Sequence, residues 1–139
     1  MNNMGEPRIK IVAMPKDTNP SGNIFGGWIM SQIDIAGALA TRDLPIHRVV
    51  TVAVNSMSFR EPIFVGDVVS FYAKIVEVGN TSIKVAVEVT SERTSNEIRR
   101  CVHVTSAIVT YVSVDKESKK MPIECSDNYL RALGIEIDE

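Results

Sequence analysis

The apolar stretch between an Asn/Pro/Gly-rich loop and Pro45 predicts a helix with one carboxylate at its centre. The helix should begin near Gly27 or Trp28 and end near Arg42, because a residue that precedes proline disfavours helical backbone. The segment is apolar on almost every side, which is typical of a buried helix. Asp34 lies in its middle. A buried charge is costly unless it is paired or used, so Asp34 is the strongest functional indication in the chain.

Five segments have the alternation or the β-branched composition of strands, and short turns separate the last four of them. Residues 82–92 alternate most clearly, with apolar side chains at the odd-numbered positions. Turn formers predict a tight hairpin at Gly79-Asn80 and a turn at residues 94–96. The predicted strands are residues 8–14, 48–59, 68–78, 82–92 and 98–114. The side chains predicted for the outer face of the sheet are Lys84, Glu88, His103 and Thr105.

This order of elements predicts an α+β fold in one domain. Strands joined by short turns pair in antiparallel fashion, and the long helix can bury itself only against the sheet. We therefore expect a long central helix wrapped by a five- to six-stranded antiparallel sheet. The domain should span residues 1–139, with a core at about 8–114 and a tail at 115–139. A short helix capped at Ser126 or Asp127 is predicted in that tail.

Composition and charge exclude several classes of protein. The 139 residues are 45% hydrophobic and 23% charged, with a net charge of -2, which gives no indication of nucleic-acid or membrane binding. The sequence has no signal-peptide pattern and no apolar run of membrane-spanning length, which predicts a cytoplasmic protein. Cys101 and Cys125 lack metal-ligand spacing, so we expect free thiols and no metal site.

Three segments of the chain resemble the short bacterial acyl-CoA thioesterases of the YciA type, which have the hotdog fold. The segments are MPKDTNPSGNIFGGWIMSQIDIAGALA (14–40), RVVTVAVNSMSFREPIFVGDVV (48–69) and VGNTSIKVAVEV (78–89). The resemblance implies a dimer with the two sheets edge to edge and the long helices side by side, commonly assembled as a trimer of dimers. It implies active sites at the dimer interface, hydrolysis of acyl-CoA thioesters, and neither a cofactor nor a metal ion.

Thioester hydrolysis requires donors for the developing oxyanion, and the predicted helix start supplies them. Backbone amides at a helix N-terminus point outward at the positive end of the helix dipole. Gly26, Gly27 and Trp28 occupy this place. Alternatively, the glycine pair makes only a tight turn. Asn23 just before them either serves as a turn or N-cap residue or, as the resemblance implies, orients the thioester or water.

Asp34 is the candidate for the second task, as general base on water or as nucleophile through a mixed anhydride. Both roles stay open, and the alternative is a solvated aspartate on an exposed helix stripe. Asp34 lies about two turns from Gly27, roughly 10 Å along the helix axis. An antiparallel helix from a second copy would bring the two residues together. The spacing and the resemblance both predict a site shared by two chains.

The coenzyme A phosphates require basic side chains. Arg60 is the best candidate, because Ser58 and Phe59 before it resemble the stretch that lines the pantetheine arm in this family. Lys84 is a further candidate, and any one of these charges is alternatively a solvated surface group. The other basic candidates are Arg48, Arg93, Arg99 and Arg100. The side chains that could line an acyl tunnel, or simply pack in the core, are Phe25, Trp28, Met30 and Met57.

Two other functions occur on the same fold, and the sequence bears on both. A non-catalytic acyl-CoA or nucleotide sensor would bind without turnover and would normally need an effector domain. A dehydratase would need an active-site histidine, and neither His47 nor His103 lies in the helix segment. The chain has no GxSxG motif and no cysteine in a triad-like setting, which argues against a serine hydrolase.

Overall fold

Residues 4–135, which the computed structural model describes, form five strands and two α-helices. In chain order, these are β1 (Ile9–Val12), α1 (Gly26–Thr41), β2 (Arg48–Asn55), β3 (Val68–Val78), β4 (Ser82–Ser95), β5 (Ile98–Val114) and α2 (Asp127–Ala132). A single 3₁₀ turn, Pro15–Asp17, lies between β1 and α1. The predicted central helix is confirmed, and it begins one residue before Gly27.

The five strands make one antiparallel sheet in the order β1-β3-β4-β5-β2. Its inner face carries the apolar odd-numbered side chains of β4, from Ile83 to Val89, which are fully buried as the alternation predicts. Helix α1 packs on this face through Ile33, Ala36 and Ala40. The α+β architecture of a helix wrapped by an antiparallel sheet is therefore confirmed, with five strands in the described part of the chain.

Gly37 sets how closely α1 approaches the sheet. A Cβ atom built on this glycine would overlap the hydroxyl of Tyr111 on β5 and lie 3.0 Å from its Cζ. That hydroxyl donates a hydrogen bond of 2.7 Å to the backbone carbonyl of Asp34. Burial raises the pKa of Tyr111 above the ordinary tyrosine range, and the nearby Asp34 carboxylate raises it further. Tyr111 is therefore a protonated donor that joins sheet to helix.

Strand β2 ends at Asn55, so the prediction of a strand through residue 59 is wrong. Ser56 has a φ of 60°, in the left-handed region, and this turns the chain out of the sheet. The segment that follows stays beside β5: Thr105 donates to the Ser58 carbonyl at 2.7 Å, and the amide of Arg60 donates to the Val104 carbonyl at 2.8 Å. Residues 56–59 are therefore held in an irregular conformation by the neighbouring strand.

The predicted outer position of Thr105 is also wrong, because β5 contains a bulge. Thr105 pairs with Val89 whereas His103 pairs with Thr90, which leaves Val104 as the extra residue. The bulge reverses the alternation, so Thr105 is buried on the inner face. His103 remains on the outer face, where its Nε2 lies 2.6 Å from a carboxylate oxygen of Glu88.

Both turns of the β3–β4–β5 meander lie close to where they were predicted. The Gly79 amide donates to the Ser82 carbonyl at 2.8 Å and closes the first hairpin. Strand β4 runs three residues further than predicted, so the second turn falls at Asn96 and Glu97. Their φ angles of 50° and 64° are typical of two-residue hairpin turns, whose backbone twist matches that of the two strands they join.

The tail beyond β5 packs against the core. Ser126 caps α2 by accepting a hydrogen bond of 3.1 Å from the Tyr129 amide. Of the two predicted caps, Ser126 and Asp127, the first is therefore correct. Leu130 and Ile135 are buried in the same cluster as the inner face of the sheet. The Tyr129 hydroxyl donates to the Asp43 carbonyl at 2.7 Å, which ties the tail to the end of α1.

Candidate active site

The first turn of α1 presents a set of open backbone donors. Phe25 is the N-cap residue, and no side chain caps the helix. The first helical bond runs from the Ile29 amide to the Phe25 carbonyl at 3.3 Å. Among residues 4–135, the amides of Gly26, Gly27 and Trp28 have no acceptor. These three donors, at the positive end of the helix dipole, can stabilise an oxyanion.

The glycines in this turn are not required by the fold of the single chain. Neither Gly26 nor Gly27 has a positive φ. A Cβ on Gly27 would have no neighbour within 4 Å, and one on Gly26 would lie 3.9 Å from the Phe59 ring, an ordinary contact. The alternative of a glycine pair that serves only a tight turn therefore gains no support, and the open space suits a ligand.

Asn23 lies beside this turn in a cleft of about 190 Å³ that also includes Gly26 and Phe59. It takes part in a turn, because the Asn19 amide donates to its carbonyl at 2.7 Å and its own amide donates to Asn19 Oδ1 at 3.1 Å. It is not the N-cap, since Phe25 is. The side-chain amide of Asn23 is half-buried and has no hydrogen-bond partner in the described residues, which leaves it available to a ligand.

Two residues that face each other on β2 and β5 hydrogen-bond to Asp34, one to its carboxylate and one to its backbone carbonyl. The Thr51 hydroxyl on β2 donates to Asp34 Oδ1 at 2.6 Å, and the Tyr111 hydroxyl donates to the Asp34 carbonyl. Thr51 and Tyr111 are directly paired between β2 and β5. The half-buried carboxylate is therefore oriented by the sheet. Thr51 was not identified from the sequence. It could have been recognised as the single polar residue in the apolar run from Val49 to Val54.

The two groups of candidate residues do not meet within one chain. Asn23, Gly26 and Phe59 lie together at the start of α1. Asp34 follows Gly27 by seven residues, roughly 10 Å along the axis at 1.5 Å per residue. The side chain of Asp34 is instead hydrogen-bonded to Thr51 on the sheet. Within one chain, the open donors and the oriented carboxylate are thus two separate groups.

Only some of the residues predicted to contact coenzyme A lie at the cleft beside Asn23. Phe59 is half-exposed over Gly26. The carbonyl of Ser58 already accepts from Thr105, and Arg60 is exposed on the same segment. The Trp28 ring packs edge-on against a buried phenylalanine of β3, with centroids 6.1 Å apart and planes at 66°. The Trp28 ring therefore belongs to the core, whereas its amide is one of the three open donors at the start of α1.

Lys84 is not brought to the cleft. It projects from the face of β4 opposite the core and pairs with Glu77 at 3.3 Å. Two other basic candidates also have partners: Arg93 pairs with the buried Asp67 at 3.1 Å, and Arg48 donates to the Ser118 hydroxyl. Arg60 lies between Phe59 and Glu61, which both line the cleft. Arg93 also donates to the carbonyl of Pro62, another lining residue, at 2.9 Å.

We expect Gly27→Ala to separate stability from activity. The added methyl group has open space and removes a flexible residue, so the free energy of unfolding should stay constant or rise by up to about 1 kcal/mol. At the start of α1, the methyl group would occupy the place predicted for the thioester and lower kcat/KM by roughly 10²-fold. Urea denaturation and thiol release measure the two effects. Ser31→Ala, at an exposed position of the same helix, is the control, and full activity in Gly27→Ala would contradict the assignment.

We expect Thr51→Val to lower kcat about tenfold with little change in KM, because a hydrogen bond to a charged group contributes roughly 1.5–3 kcal/mol. Valine keeps the shape of threonine and loses only the donor that orients Asp34. Thr51→Ser retains that donor and should recover most of the rate. Steady-state kinetics on the three proteins test this role. Equal rates for Thr51→Val and the wild type would show that Thr51 has no role in orienting Asp34 for the reaction.

Three further properties are established for residues 4–135 only. No group of three His, Cys, Asp or Glu side chains in this span is placed to hold a metal ion. Cys101 and Cys125 are both free thiols, as predicted. No helix in the same span is long and apolar enough to cross a membrane.

Comparison with known proteins places this geometry in a family. The model of the thioesterase superfamily matches residues 21–97. The acyl-CoA thioester hydrolase YciA of Escherichia coli is 44% identical over 123 residues, which cover 86% of this chain and 93% of that relative. An uncharacterized acyl-CoA thioester hydrolase of Haemophilus influenzae is 45% identical over 130 residues, 91% of this chain and 84% of the relative.

Solved structures show the same architecture. Cj0915, a hexameric hotdog fold thioesterase of Campylobacter jejuni, superposes with a TM-score of 0.87 at 57% identity, covering 95% of this chain and 98% of that one. HI0827, a hexameric broad-specificity acyl-coenzyme A thioesterase solved as an aspartate-to-alanine mutant, gives a TM-score of 0.84 at 44% identity, covering 93% and 94%. The predicted hotdog fold is therefore confirmed.

Proposed function

The chain belongs to the thioesterase superfamily, and from this premise we propose that it hydrolyses acyl-CoA thioesters at a site shared by two protomers. One observation carries the proposal. A single helix holds open oxyanion donors at its start and an oriented carboxylate two turns later, and the two do not meet within the chain. A second copy of α1 running antiparallel supplies each half with its complement.

Exposed apolar surface supports this pairing. Strand β2 is the last in the sheet, so its outer edge is unpaired within residues 4–135, and it exposes Val50, Val52 and Val54. On α1, Met30 and Ile35 are about half-exposed. An unpaired apolar edge strand favours pairing with another chain. Because the similar structures named above are hexameric, we propose a dimer joined through β2 and α1, assembled further as a trimer of dimers.

The chemistry follows from the two halves. The thioester carbonyl oxygen accepts from the Gly27 amide of one protomer, with Asn23 beside it, while Asp34 of the partner subunit takes a proton from water. The water oxygen bonds to the carbonyl carbon, and the oxyanion turn stabilises the charge that develops. Collapse then breaks the C–S bond, and the proton passes to the departing thiolate. In the alternative, Asp34 itself attacks and forms an anhydride that water hydrolyses.

The proposal includes no metal ion and no cofactor other than the coenzyme A of the substrate. Main-chain amides supply the electrophilic assistance that a metal would otherwise give. The pantetheine arm is proposed to run along the irregular segment through Ser58 and Phe59, whose ring borders the Asn23 cleft. Arg60, exposed beyond it, is proposed to meet the phosphates.

The direct test is thiol release from a panel of acyl-CoAs of increasing chain length by the purified chain. We expect turnover on at least one of them, together with stoichiometric free acid. A sensor on the same fold would bind the same panel without releasing thiol. Tight binding with no turnover across the panel would therefore contradict the enzyme hypothesis and favour the sensor hypothesis.

Mixing two inactive variants tests whether the site is shared. We expect Gly27→Ala and Asp34→Asn chains, refolded together in equal amounts, to regain roughly a quarter of wild-type activity, since half of random pairs are mixed and each mixed pair holds one intact site. Each variant refolded alone is the control. If the mixture is no more active than the two variants separately, donors and carboxylate act within one chain.

A further inference from the structure

A groove of about 500 Å³ lies at the C-terminal end of α1, outside the two halves of the site. Its floor is formed by apolar side chains of the helix, of the connection to β2 and of β2 itself. Its rim carries basic side chains. The residues that the inference uses are Ala38, Arg42, Leu44, His47, Arg48 and Val49.

The charge of this groove is of one sign. Arg42, His47 and Arg48 are all exposed along it, and the Arg48 guanidinium also donates to the exposed Ser118 hydroxyl. No Asp or Glu is among the lining residues of the groove. The nearby acid, Asp43, is engaged by Arg8 at 2.9 Å. Two permanent cations and an imidazole around an apolar floor match a ligand that combines apolar and anionic parts.

The groove continues directly from the catalytic carboxylate. Ala38 is one helical turn beyond Asp34 on the same face of α1, and Val49 is two residues before Thr51 on the same face of β2. Arg42 therefore lies roughly 12 Å from Asp34 along the helix. Arg48 lies roughly 10 Å from Thr51 along the strand. Both distances are within reach of one end of a substrate whose thioester is at Asp34.

The shared site joins this groove to the cleft of the other protomer. An antiparallel pairing that sets Asp34 opposite the partner's Gly27 also sets Ala38, one turn further along, past the start of the partner's α1 and toward the loop that contains the partner's Asn23. The cleft of one chain and the groove of the other then form a single channel. Its thioester position is in the middle, and its basic rim is at one end.

We propose that this groove is an anion-binding subsite of the acyl-CoA site, in which Arg42 and Arg48 hold phosphate or carboxylate oxygens of the substrate and His47 donates a further hydrogen bond. The inference rests on the proposed function for the position of the thioester. The anion has two possible sources. One is an acyl group that ends in a carboxylate, which leaves the coenzyme A phosphates at Arg60 as proposed above, and the other is those phosphates themselves, which would then lie in this groove in place of Arg60. The same chemistry serves both, and four substrates separate them.

The test compares the wild type, Arg42→Ala and Arg48→Ala on butyryl-CoA, succinyl-CoA, S-butyryl-pantetheine and S-succinyl-pantetheine. Each variant should lower kcat/KM about tenfold on every substrate that carries the recognised anion. A loss on both CoA esters and on neither pantetheine ester identifies the phosphates. A loss on both succinyl esters and on neither butyryl ester identifies the carboxylate. Lys10→Ala, at an exposed position of β1 on the opposite edge of the sheet, is the control.

Two results would overturn the subsite: unchanged kcat/KM on all four substrates, or an equal loss on S-butyryl-pantetheine, which carries no anion. Calorimetric binding of coenzyme A and of succinate to the same proteins is independent of turnover. If the wild type releases thiol from none of these four substrates and from no member of the acyl-CoA panel, the proposed function fails. The subsite then stands if binding of either probe is weakened in Arg42→Ala, and it fails if both probes bind as they do to the wild type.

Discussion

Asp34→Asn is expected to lower kcat by roughly 10²–10⁴-fold, the usual contribution of a positioned general base or acid. Asparagine has the shape of aspartate, and its Oδ1 can still accept the Thr51 hydroxyl, so the helix and the sheet keep their arrangement. It can neither accept the proton of water nor attack a thioester. Binding of coenzyme A should therefore be unchanged while the rate of thiol release falls.

Asp43→Asn is the matched control for this prediction. Asp43 lies just after the end of the same helix and pairs with Arg8 on the surface at 2.9 Å. An exposed pair of this kind contributes little stability, and it lies outside both halves of the site, so kcat should be that of the wild type. If Asp34→Asn turned over at the wild-type rate, the carboxylate would have no part in the reaction, whichever of its two roles is considered.

Gly37→Ala is expected to give the largest loss of stability, about 1–3 kcal/mol, the usual range for an overpacked core. Alanine in a helix interior normally stabilises relative to glycine by roughly 1 kcal/mol, so the predicted sign is the reverse of the usual one. The reason is that the new methyl group would overlap the hydroxyl of Tyr111, which is fully buried. Urea denaturation at fixed protomer concentration measures the change, because stability of an oligomer depends on concentration.

A double-mutant cycle with Tyr111→Phe identifies the cause. Phenylalanine removes the hydroxyl and relieves the closest contact, although it also removes the hydrogen bond to the Asp34 carbonyl. The double variant should therefore be more stable than the sum of the two single changes predicts, by about 1 kcal/mol or more. Gly27→Ala, the same change on the same helix in open space, is the control. Additive effects would show that Gly37 is needed for some reason other than close packing.

Much of the fold could be predicted because local pattern and local geometry agree. The helix was placed within one residue at each end, since Pro45 and the preceding loop limit it. The apolar odd positions of β4 gave its buried face correctly, because side chains alternate along a regular strand. Helical rise alone also separated Gly27 from Asp34 by two turns. These properties depend on residues close together in the chain.

The same alternation failed wherever a strand is irregular. On β5, the bulge at Val104 moves Thr105 to the inner face, and on β2, the positive φ of Ser56 ends the strand early. Neither change has a clear local signature, since serine, valine and threonine are ordinary strand or turn residues. A bulge is fixed by how two strands register over their whole length. That register is a property of the sheet.

In the candidate site, too, some features follow from a single element and others from contacts between distant elements. The sequence by itself determined that one helix begins at a glycine pair and carries a carboxylate two turns later, because both facts follow from the geometry of a single element. That no side chain of residues 4–135 caps the first amides is seen only in the structure. Only the tertiary structure decided what holds that carboxylate. Thr51 and Tyr111 are 17 and 77 residues away from Asp34 along the chain, and they meet it because β2 and β5 pair beneath the helix. Such contacts are set by strand register and by the close packing that Gly37 permits, and neither can be read from the neighbours of a residue in sequence.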